Sequence, residues 1–317
     1  MIVPKGDLDL LAIGELLVDF ISVEETNSLR EAHTFRKYQG GSPANLAVNV
    51  AKLGSKAALV SKTGARAFGS FLKAELQRAN VLTDYLVTDP AVRTSVVFVS
   101  RSKGTPDFEA FRDADYQLNP QDISEEQIRR ARVVHASSWP LSRQPSRSAV
   151  EKAFQLAQEY GKLISLDPNY SPLIWSDYRQ AEFVLQQMLR YATLIKPSLD
   201  DAVRLFGPGQ TPEAYIGMFH EMGPQIVVFT MGSEGVLLSE NGQVTHIPAR
   251  PITVVDATGA GDSFWAGFLV ALLDGNSLER CALFAREIAE RKLSTVGPLP
   301  DTIDRQAVYA GLDASPA

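Results

Sequence analysis

Residues 254–264, VVDATGAGDSF, combine a tight glycine turn with a carboxylate and precede an apolar run. Because glycine lacks a Cβ atom, Gly259 and Gly261 let the backbone turn sharply, and their amides and that of Ala260 can point to one spot at the start of the following helix. That spot suits a phosphate group. Asp262 stands at the helix start, where the helix dipole favours a carboxylate anion that could take a proton from a hydroxyl group. The segment therefore predicts a phosphate site beside a general base.

Phosphoryl transfer is a reaction that such a weak base can serve. Its transition state is loose, so the hydroxyl loses its proton late, and positioning and charge stabilisation dominate. Other glycine motifs fail, since Phe264 replaces the third glycine of a dinucleotide fingerprint and Lys162 is followed by Leu163, not by the Ser or Thr of a P-loop. The alternative is that Asp262 only caps a helix. The two glycines and the nearby Asp256 favour the phosphate site.

A second glycine pair lies near the start of residues 39–54, QGGSPANLAVNVAKLG. Ser42 is a suitable N-cap and Pro43 a suitable first residue of a helix, which puts Asn45 in the first helical turn. The glycines allow a ligand to approach the backbone closely, while Asn45 offers both a donor and an acceptor. That combination suits sugar hydroxyls. The alternative is a glycine turn followed by a capped core helix without a ligand.

Short apolar runs alternate with stretches of helical periodicity along the chain. The runs predict buried strands at 8–13, 57–60, 133–136, 163–166, 192–195 and 226–230. The periodic stretches predict helices at 45–53, 68–79, 147–160, 178–191 and 212–222. Strands that alternate with helices are typical of an α/β fold with a mostly parallel central sheet covered on both faces.

Residues 16–38 and 94–116 break this rhythm, since both alternate apolar with polar residues and contain no long helical pattern. The segments VVFVS at 96–100 and DFEAFRDADY at 107–116 resemble half-exposed antiparallel strands. Each stretch leaves the core pattern and returns to it, so we expect a small β-sheet lid over one edge of the core, within a single domain of residues 1–317. Closure of a lid would exclude water that could otherwise accept the phosphoryl group.

The composition excludes several classes of protein. The 317 residues are 45% hydrophobic, and a net charge of -6 with scattered basic residues argues against a nucleic-acid partner. The longest apolar stretch, 264–273, is too short to cross a bilayer, so we expect no membrane partner and a cytoplasmic location. The lone Cys281 permits no internal disulfide, and the four histidines show no metal-ligand spacing.

Taken together, the two glycine segments resemble the two signatures of the ribokinase-like (PfkB) carbohydrate kinase family. Gly40, Gly41 and Asn45 with the following helix resemble the first signature, and DATGAGD at 256–262 resembles the second. Their order and separation agree with the family, and the resemblance covers essentially the whole chain. It implies a ribokinase-like three-layer α/β sandwich with a lid, and an enzyme that transfers the γ-phosphoryl group of ATP to a sugar hydroxyl.

On the sugar side, the resemblance implies roles for individual residues. GELLVDF at 14–20 resembles the family's first strand with its sugar-binding carboxylate, and FRDADY at 111–116 resembles a lid strand of the fructokinase branch whose Arg points onto the substrate. Asp262 would face the hydroxyl to be phosphorylated. The implied sugar-binding residues are Asp19, Gly40, Gly41, Asn45, Arg112 and Asp262.

On the nucleotide side, TMGSEG at 230–235 is similar to the family's strand and glycine turn next to ATP. KPSLDD at 196–201 occupies the place of an Asn-x-x-Glu element involved with Mg2+ and phosphate, but Ser198 and Asp201 replace its two key residues. Asp201 would then be the metal ligand, and the implied cofactors are ATP, Mg2+ and a monovalent cation such as K+. The implied nucleotide-binding residues are Lys196, Ser198, Thr230, Gly232, Gly235, Gly259 and Gly261.

Within the family, the resemblance points to a fructokinase, with a 2-keto-3-deoxygluconate kinase or a nucleoside kinase as alternatives. A carboxylate-bearing sugar needs a positive partner, but Ser171 stands where the family often has Arg, which leaves Arg112 and favours a neutral ketohexose. From another class, a non-catalytic sugar sensor would keep the fold. The presence of Asp262 disfavours it. An exposed lid edge would allow a homodimer through the lid.

Overall fold

The computed structural model describes residues 3–102, 107–175, 177–295, 297–300 and 302–314. Its strands are β1 (Leu8–Ile13), β2 (Leu17–Glu25), β3 (Phe35–Gly40), β4 (Ala57–Gly64), β5 (Leu86–Asp89), β6 (Val96–Arg101), β7 (Phe108–Phe111), β8 (Ala131–Ser137), β9 (Leu163–Asp167), β10 (Leu194–Ile195), β11 (Ile226–Thr230), β12 (Val236–Glu240) and β13 (Gln243–Ile247). Its α-helices are α1 (Ser42–Lys52), α2 (Ala67–Arg78), α3 (Glu125–Arg130), α4 (Ser146–Glu159), α5 (Tyr178–Leu189), α6 (Leu199–Phe206), α7 (Pro212–Glu221), α8 (Ala260–Leu273), α9 (Leu278–Leu293) and α10 (Arg305–Ala314).

A nine-stranded sheet forms the centre of the molecule, in the order β13-β12-β11-β10-β9-β8-β1-β4-β5. In this order, all neighbouring strands between β11 and β5 pair in parallel. The hairpin of β12 and β13 lies at one edge and pairs antiparallel with β11. The strands predicted from the apolar runs are confirmed as β1, β4, β8, β9, β10 and β11. From β1 the strand numbers increase towards both edges of the sheet, with β4 and β5 on one side and β8 to β13 on the other. The carboxyl end of β1 therefore lies at a topological switch point, where α/β sheets bind ligands.

Helices cover both faces of this sheet, which gives three layers. Within β11, Ile226 and Val228 pack into the core that contains α1, α2, α8, α9 and α10. Val227 and Phe229 point to the opposite face and pack with α3 to α7. This alternation along one strand confirms the predicted α/β sandwich.

The predicted lid is also present, as a four-stranded sheet in the order β3-β2-β6-β7. Its two hairpin pairs, β2 with β3 and β6 with β7, are antiparallel, but the central pair of β2 and β6 is parallel. The antiparallel strands predicted at 96–100 and within 107–116 are confirmed as β6 and β7. The parallel pair follows from topology, because β2 and β6 each leave the core sheet after the parallel strands β1 and β5. Within the described residues β3 and β7 are the lid's edges; a homodimer through them, and the single-domain assignment, stay predictions.

No helix in the described ranges is long and apolar enough to cross a membrane. Cys281 is buried in α9, and burial raises the pKa of its thiol to about 12, as expected for a small core residue.

Glu15 ties the end of β1 to the elements on either side of it. Its side chain is 2% exposed and accepts hydrogen bonds from the backbone N–H of Ser42 at 3.0 Å and from the hydroxyl of Ser137 at 3.1 Å. Burial raises the pKa of this carboxyl to about 8. The switch point is thus fastened to α1 and β8 by a group that is largely protonated at neutral pH.

We predict that this group makes the protein less stable as pH rises. The folded pKa of about 8 lies above the ordinary 4.5, so the folded state holds a proton that the unfolded state releases, and the free energy of unfolding falls as pH rises through this window. This group should therefore lower Tm as pH rises from 4.5 to about 8, and the fall should be smaller in Glu15→Gln, whose amide does not ionise. An equal pH dependence in both proteins would contradict this assignment.

Candidate active site

The start of α8 offers unpaired backbone donors. Gly259 precedes the helix with φ +74°, a left-handed conformation that suits glycine. The amides of Ala260 and Ser263 donate to the carbonyls of Ala257 and Gly259, whereas those of Gly261 and Asp262 have no acceptor in the described part of the chain. The positive end of α8 thus presents two backbone N–H groups that could donate hydrogen bonds to an anion.

A buried ammonium lies beside this turn. A Cβ added to Gly261 would lie 3.6 Å from Nζ of Lys196, which is 5% exposed and forms an ion pair with Asp167 at 3.0 Å. Burial works against the charged form of Lys196, but the carboxylates of Asp167 and Asp201 outweigh it and raise the pKa of the ammonium above its usual range. Lys196 is therefore a fixed positive charge next to the free amides.

Asp262 joins the two glycine segments of the sequence. Its Oδ1 accepts a hydrogen bond from the hydroxyl of Ser42 at 2.8 Å, and its Oδ2 accepts one from Nδ2 of Asn45 at 3.0 Å. Gln39 in turn donates to Oδ1 of Asn45 at 3.0 Å, which fixes the direction of the Asn45 amide. The first turn of α1 and the first turn of α8 therefore meet at one carboxylate. Sequence reasoning did not single out Gln39, whose only signal was its place before the glycine pair.

The prediction that Ser42 is the N-cap of α1 is wrong. Ser42 is the first residue of the helix and Gly41 is its N-cap, with φ +101° and its Cα packed so closely on the backbone of Glu15 that a Cβ would collide there. The carboxyl group of Glu15 binds the N–H of Ser42 instead. The hydroxyl of Ser42 is thereby free to bind Asp262.

The environment of Asp262 also differs from the one expected at a helix start. Burial raises the pKa of this carboxyl, although the hydrogen bonds from Asn45 and Ser42 and the charge of Lys196 oppose the rise. The helix start alone predicted stabilisation of the anion. A pKa closer to neutrality makes the carboxylate a stronger proton acceptor, which improves a general base.

Asp19 lies on β2 close to this group. Gly40 is required beside it, because any Cβ at that position would collide with the Asp19 carboxylate. Burial, followed by the negative charge of Asp262, raises the pKa of Asp19 to about 7. The charge of Asp262 therefore makes Asp19 harder to ionise.

Arg112 follows β7 and its charge is already compensated. Its Nε donates to Asp115 at 2.7 Å and its Nη1 donates to the hydroxyl of Ser142 at 2.7 Å. The guanidinium also lies over the ring of Trp139, 4.8 Å from its centroid. The structure thus clamps Arg112 at the base of the lid, and its predicted contact with a sugar stays a prediction.

A cavity of about 750 Å³ adjoins the start of α8. Four predicted nucleotide-binding residues line it, namely Thr230, Gly232, Gly235 and Gly261. Sequence analysis missed its other wall, where α9 contributes Arg286, Ala289 and Leu293. The helical pattern of α9 carried no nucleotide signal, since these residues resemble those of any amphipathic helix. The cavity is large enough for a nucleotide.

The predicted metal ligand serves as a helix cap in this structure. Oδ2 of Asp201 accepts hydrogen bonds from the backbone and hydroxyl of Ser198, at 2.9 and 2.6 Å, and Oδ1 accepts one from the N–H of Tyr170 at 2.6 Å. Among the described residues, no group of three His, Cys, Asp or Glu side chains could hold a metal ion. The roles of Ser198 in nucleotide binding and of Asp201 in metal binding stay predictions.

A phosphotransferase site fits this α/β sandwich, since a base, free amides and a buried ammonium meet beside a nucleotide-sized cavity. The chain belongs to the pfkB family of carbohydrate kinases, whose model matches residues 7–303. It is 36% identical over 305 residues to an ATP-dependent 6-phosphofructokinase of Thermoanaerobacterium thermosaccharolyticum, covering 96% of this chain and 94% of that protein.

Solved structures agree with this family. The structure of Halothermothrix orenii fructokinase is 39% identical, with a TM-score of 0.80, and the match covers 92% of this chain and 100% of that one. A double mutant of a fructokinase from Vibrio cholerae, with fructose, ADP and potassium ion bound, is 25% identical with a TM-score of 0.84, and the match covers 97% of this chain and 99% of that one. The protein is therefore an ATP-dependent carbohydrate kinase with a fructokinase-like fold.

We predict that Asp262→Asn lowers the pKa of Asp19, because the substitution removes the like charge that adds to burial in raising that pKa. NMR chemical shifts of the side-chain carboxyl groups, followed across pH, would measure the change. Asp84→Asn, at an exposed site, is the matched control and should leave the pKa of Asp19 in place. An unchanged pKa of Asp19 in Asp262→Asn would separate the two carboxyl groups.

Proposed function

We propose that this protein phosphorylates a hydroxyl group of a neutral ketohexose, fructose being the foremost candidate, with ATP as the donor. The observation that carries the proposal is the carboxylate of Asp262, held by Ser42 and Asn45 at the start of a helix whose free amides adjoin Lys196. A base and an anion site in contact are the two parts that phosphoryl transfer to an alcohol needs.

In this mechanism Asp19, Asn45 and the backbone at Gly40 and Gly41 bind the sugar hydroxyls. Asp262 takes the proton of the attacking hydroxyl as the oxygen of that hydroxyl bonds to the γ-phosphorus, while the bond from this phosphorus to the bridging oxygen breaks and ADP leaves. The lid sheet closes over the sugar and excludes water, the competing acceptor. Positioning by these groups supplies much of the rate, because the reaction becomes effectively unimolecular.

The negative charge of the transferred group would be stabilised by backbone amides, by an ammonium group and by a metal ion. The amides of Gly261 and Asp262 and the ammonium of Lys196 act on the phosphoryl oxygens. Thr230, Gly232 and Gly235 bind the nucleotide in the cavity that they line. Mg2+ that arrives with ATP would neutralise further phosphate charge, with Asp201 as the carboxylate that would hold it, since Mg2+ commonly needs only one or two protein carboxylates beside the phosphates.

The charge balance favours a neutral sugar. Arg112, which follows β7, is the predicted partner for a sugar carboxylate, but Asp115 already pairs with it. Asp19 and Asp262 add negative charge on the sugar side. An acid such as 2-keto-3-deoxygluconate would therefore meet the repulsion of these two carboxylates, while the guanidinium of Arg112 is already engaged.

One observation favours a second candidate, a phosphorylated ketohexose. The guanidinium of Arg143 lies 5.1 Å from the centroid of Tyr116, and that of Arg112 lies 5.9 Å from the same ring. No ion pair of Arg143 is found in the part of the chain that the structure describes. An exposed cation there could bind a sugar phosphate, and a relative at 36% identity is named a 6-phosphofructokinase.

We expect Asp262→Asn to fold normally and to lower kcat by about 10²- to 10⁴-fold, as loss of a general base typically does. The amide cannot accept the proton but can keep one hydrogen bond to the first turn of α1. ATP consumption with the best sugar would measure kcat, and circular dichroism would verify the fold. A variant that keeps most of its kcat would remove Asp262 from the role of base.

An acceptor panel tests the sugar. We expect the highest kcat/KM for fructose among ketohexoses, aldohexoses, nucleosides, 2-keto-3-deoxygluconate and fructose 6-phosphate. Arg143→Gln should then leave the use of fructose unchanged. If fructose 6-phosphate is preferred, and Arg143→Gln lowers its kcat/KM by about 10- to 100-fold through loss of a charge-assisted hydrogen bond, the second candidate replaces the first. A preference for the keto acid would refute the charge argument.

A further inference from the structure

The loop that leads to the free amides of α8 is fixed by one carboxylate. Oδ1 of Asp256 accepts a hydrogen bond from the N–H of Thr258 at 3.0 Å, and Oδ2 accepts one from the N–H of Gly297 at 3.1 Å. Burial opposes ionisation, but these two bonds and the charge of Lys292 outweigh it, so the pKa of Asp256 lies below its usual value. The carboxylate is thus an anion three residues before Gly259.

A buried ammonium occupies the oxygen-rich side of this loop. Lys292, on the last turn of α9, is 3% exposed. Its Nζ lies 3.2 Å from the carbonyl oxygen of Asp256 and 3.3 Å from Oδ2 of the same residue. One positive charge is therefore held by a carbonyl and a carboxylate at the base of the phosphate-binding turn.

The two oxygen atoms of Asp256 are of the kind that a monovalent cation requires as ligands. K+ is held in proteins by carbonyl oxygens that replace its hydration shell, and an ammonium is likewise a compact unit charge that seeks oxygen partners. A second cation at the same oxygens would meet the repulsion of Lys292 at close range in a partly dry site. The residues at this loop therefore do not fit a K+ ion beside the lysine.

We propose that Lys292 takes the place of a monovalent cation at this loop, so that the enzyme works without K+. The family resemblance implied a monovalent cation such as K+, and in this proposal the ammonium of Lys292 supplies that positive charge instead. The ammonium ties the carbonyl and carboxylate of Asp256 to α9 and thereby fixes the turn that presents the amides of Gly261 and Asp262.

A cavity of about 390 Å³ makes the inference testable by substitution. It is lined by Asp256, Thr258, Gly259, Lys292 and Gly297, so an ion from solvent could reach the loop once the ammonium is gone. Lys292→Ala removes both the charge and the side-chain volume. Lys292→Met removes the charge but leaves a chain that fills the space. Arg291→Ala, an exposed neighbour on α9, is the matched control.

Two measurements would be made in potassium chloride and in tetramethylammonium chloride at equal ionic strength. For kcat, wild type and Arg291→Ala should be equal in the two salts. Lys292→Ala should lose about 10- to 100-fold in tetramethylammonium, as displaced catalytic groups do, and recover most of it in potassium. Lys292→Met should be slow in both salts. Activation of wild type by potassium, or a Lys292→Ala variant as active as wild type without it, would overturn the proposal.

Thermal unfolding gives the second measurement and needs no substrate. Potassium should raise the Tm of Lys292→Ala relative to tetramethylammonium, because an ion that binds only the folded state stabilises it. The Tm of wild type and of Lys292→Met should not respond. Since this readout is independent of the sugar, it separates failure of this inference from failure of the proposed function. An equal response of all variants would overturn the proposal.

Discussion

The contact between Asp262 and the first turn of α1 is the interaction on which the site depends. It joins residues 217 and 220 positions apart in sequence, and it forms because α1 and α8 pack side by side, where Asn49 donates to the hydroxyl of Ser263 at 3.2 Å. The two helices therefore bring their N-termini to one place. Each N-terminus carries partial positive charge, which offsets part of the cost of gathering carboxylates there.

That cost is the main constraint on the site. Glu15, Asp19, Asp167 and Asp262 all have raised pKa values, and burial is the leading cause in each case. An ionised carboxylate without a partner would cost several kcal/mol in such surroundings. Hydrogen-bond donors offset part of this cost, and Glu15, with a pKa of about 8, keeps its proton at neutral pH. A cluster of this kind suits a ligand rich in hydroxyl groups, because each hydroxyl can donate to a carboxylate without adding charge.

The sequence predicted the sandwich and the lid because both follow from local periodicity. The buried runs that became β1, β4, β8, β9, β10 and β11 are mostly apolar on both faces. The hairpin of β12 and β13 was missed, because the first four residues of its outer strand are all exposed, as in a loop. The glycine turns were predictable because positive φ and close approach demand glycine.

The parts of the site that escaped prediction depend on contacts between distant elements. Ser42 looked like a cap because Ser before Pro usually is one, and only the position of Glu15 shows that its hydroxyl is free for Asp262. Gln39 and Lys292 have ordinary local patterns. Gln39 reaches from β3 to Asn45 of α1, and Lys292 reaches from α9 to Asp256 in the loop before α8. Spacing along the chain does not encode such contacts between distant segments.

The buried cations show how the site can be stable without a ligand and still accept a nucleotide. Lys196, Arg112 and Lys292 each pair with an aspartate, so no buried positive charge among them waits unpaired for a ligand. The free donors are instead neutral amides at the start of α8, which water can satisfy at little cost when ATP is absent. In the proposed mechanism, phosphate displaces that water, and the amides and the nearby ammonium act on it together without reorganisation. The buried charged side chains are thus paired before a nucleotide binds. The donors that remain free for phosphate are neutral backbone amides.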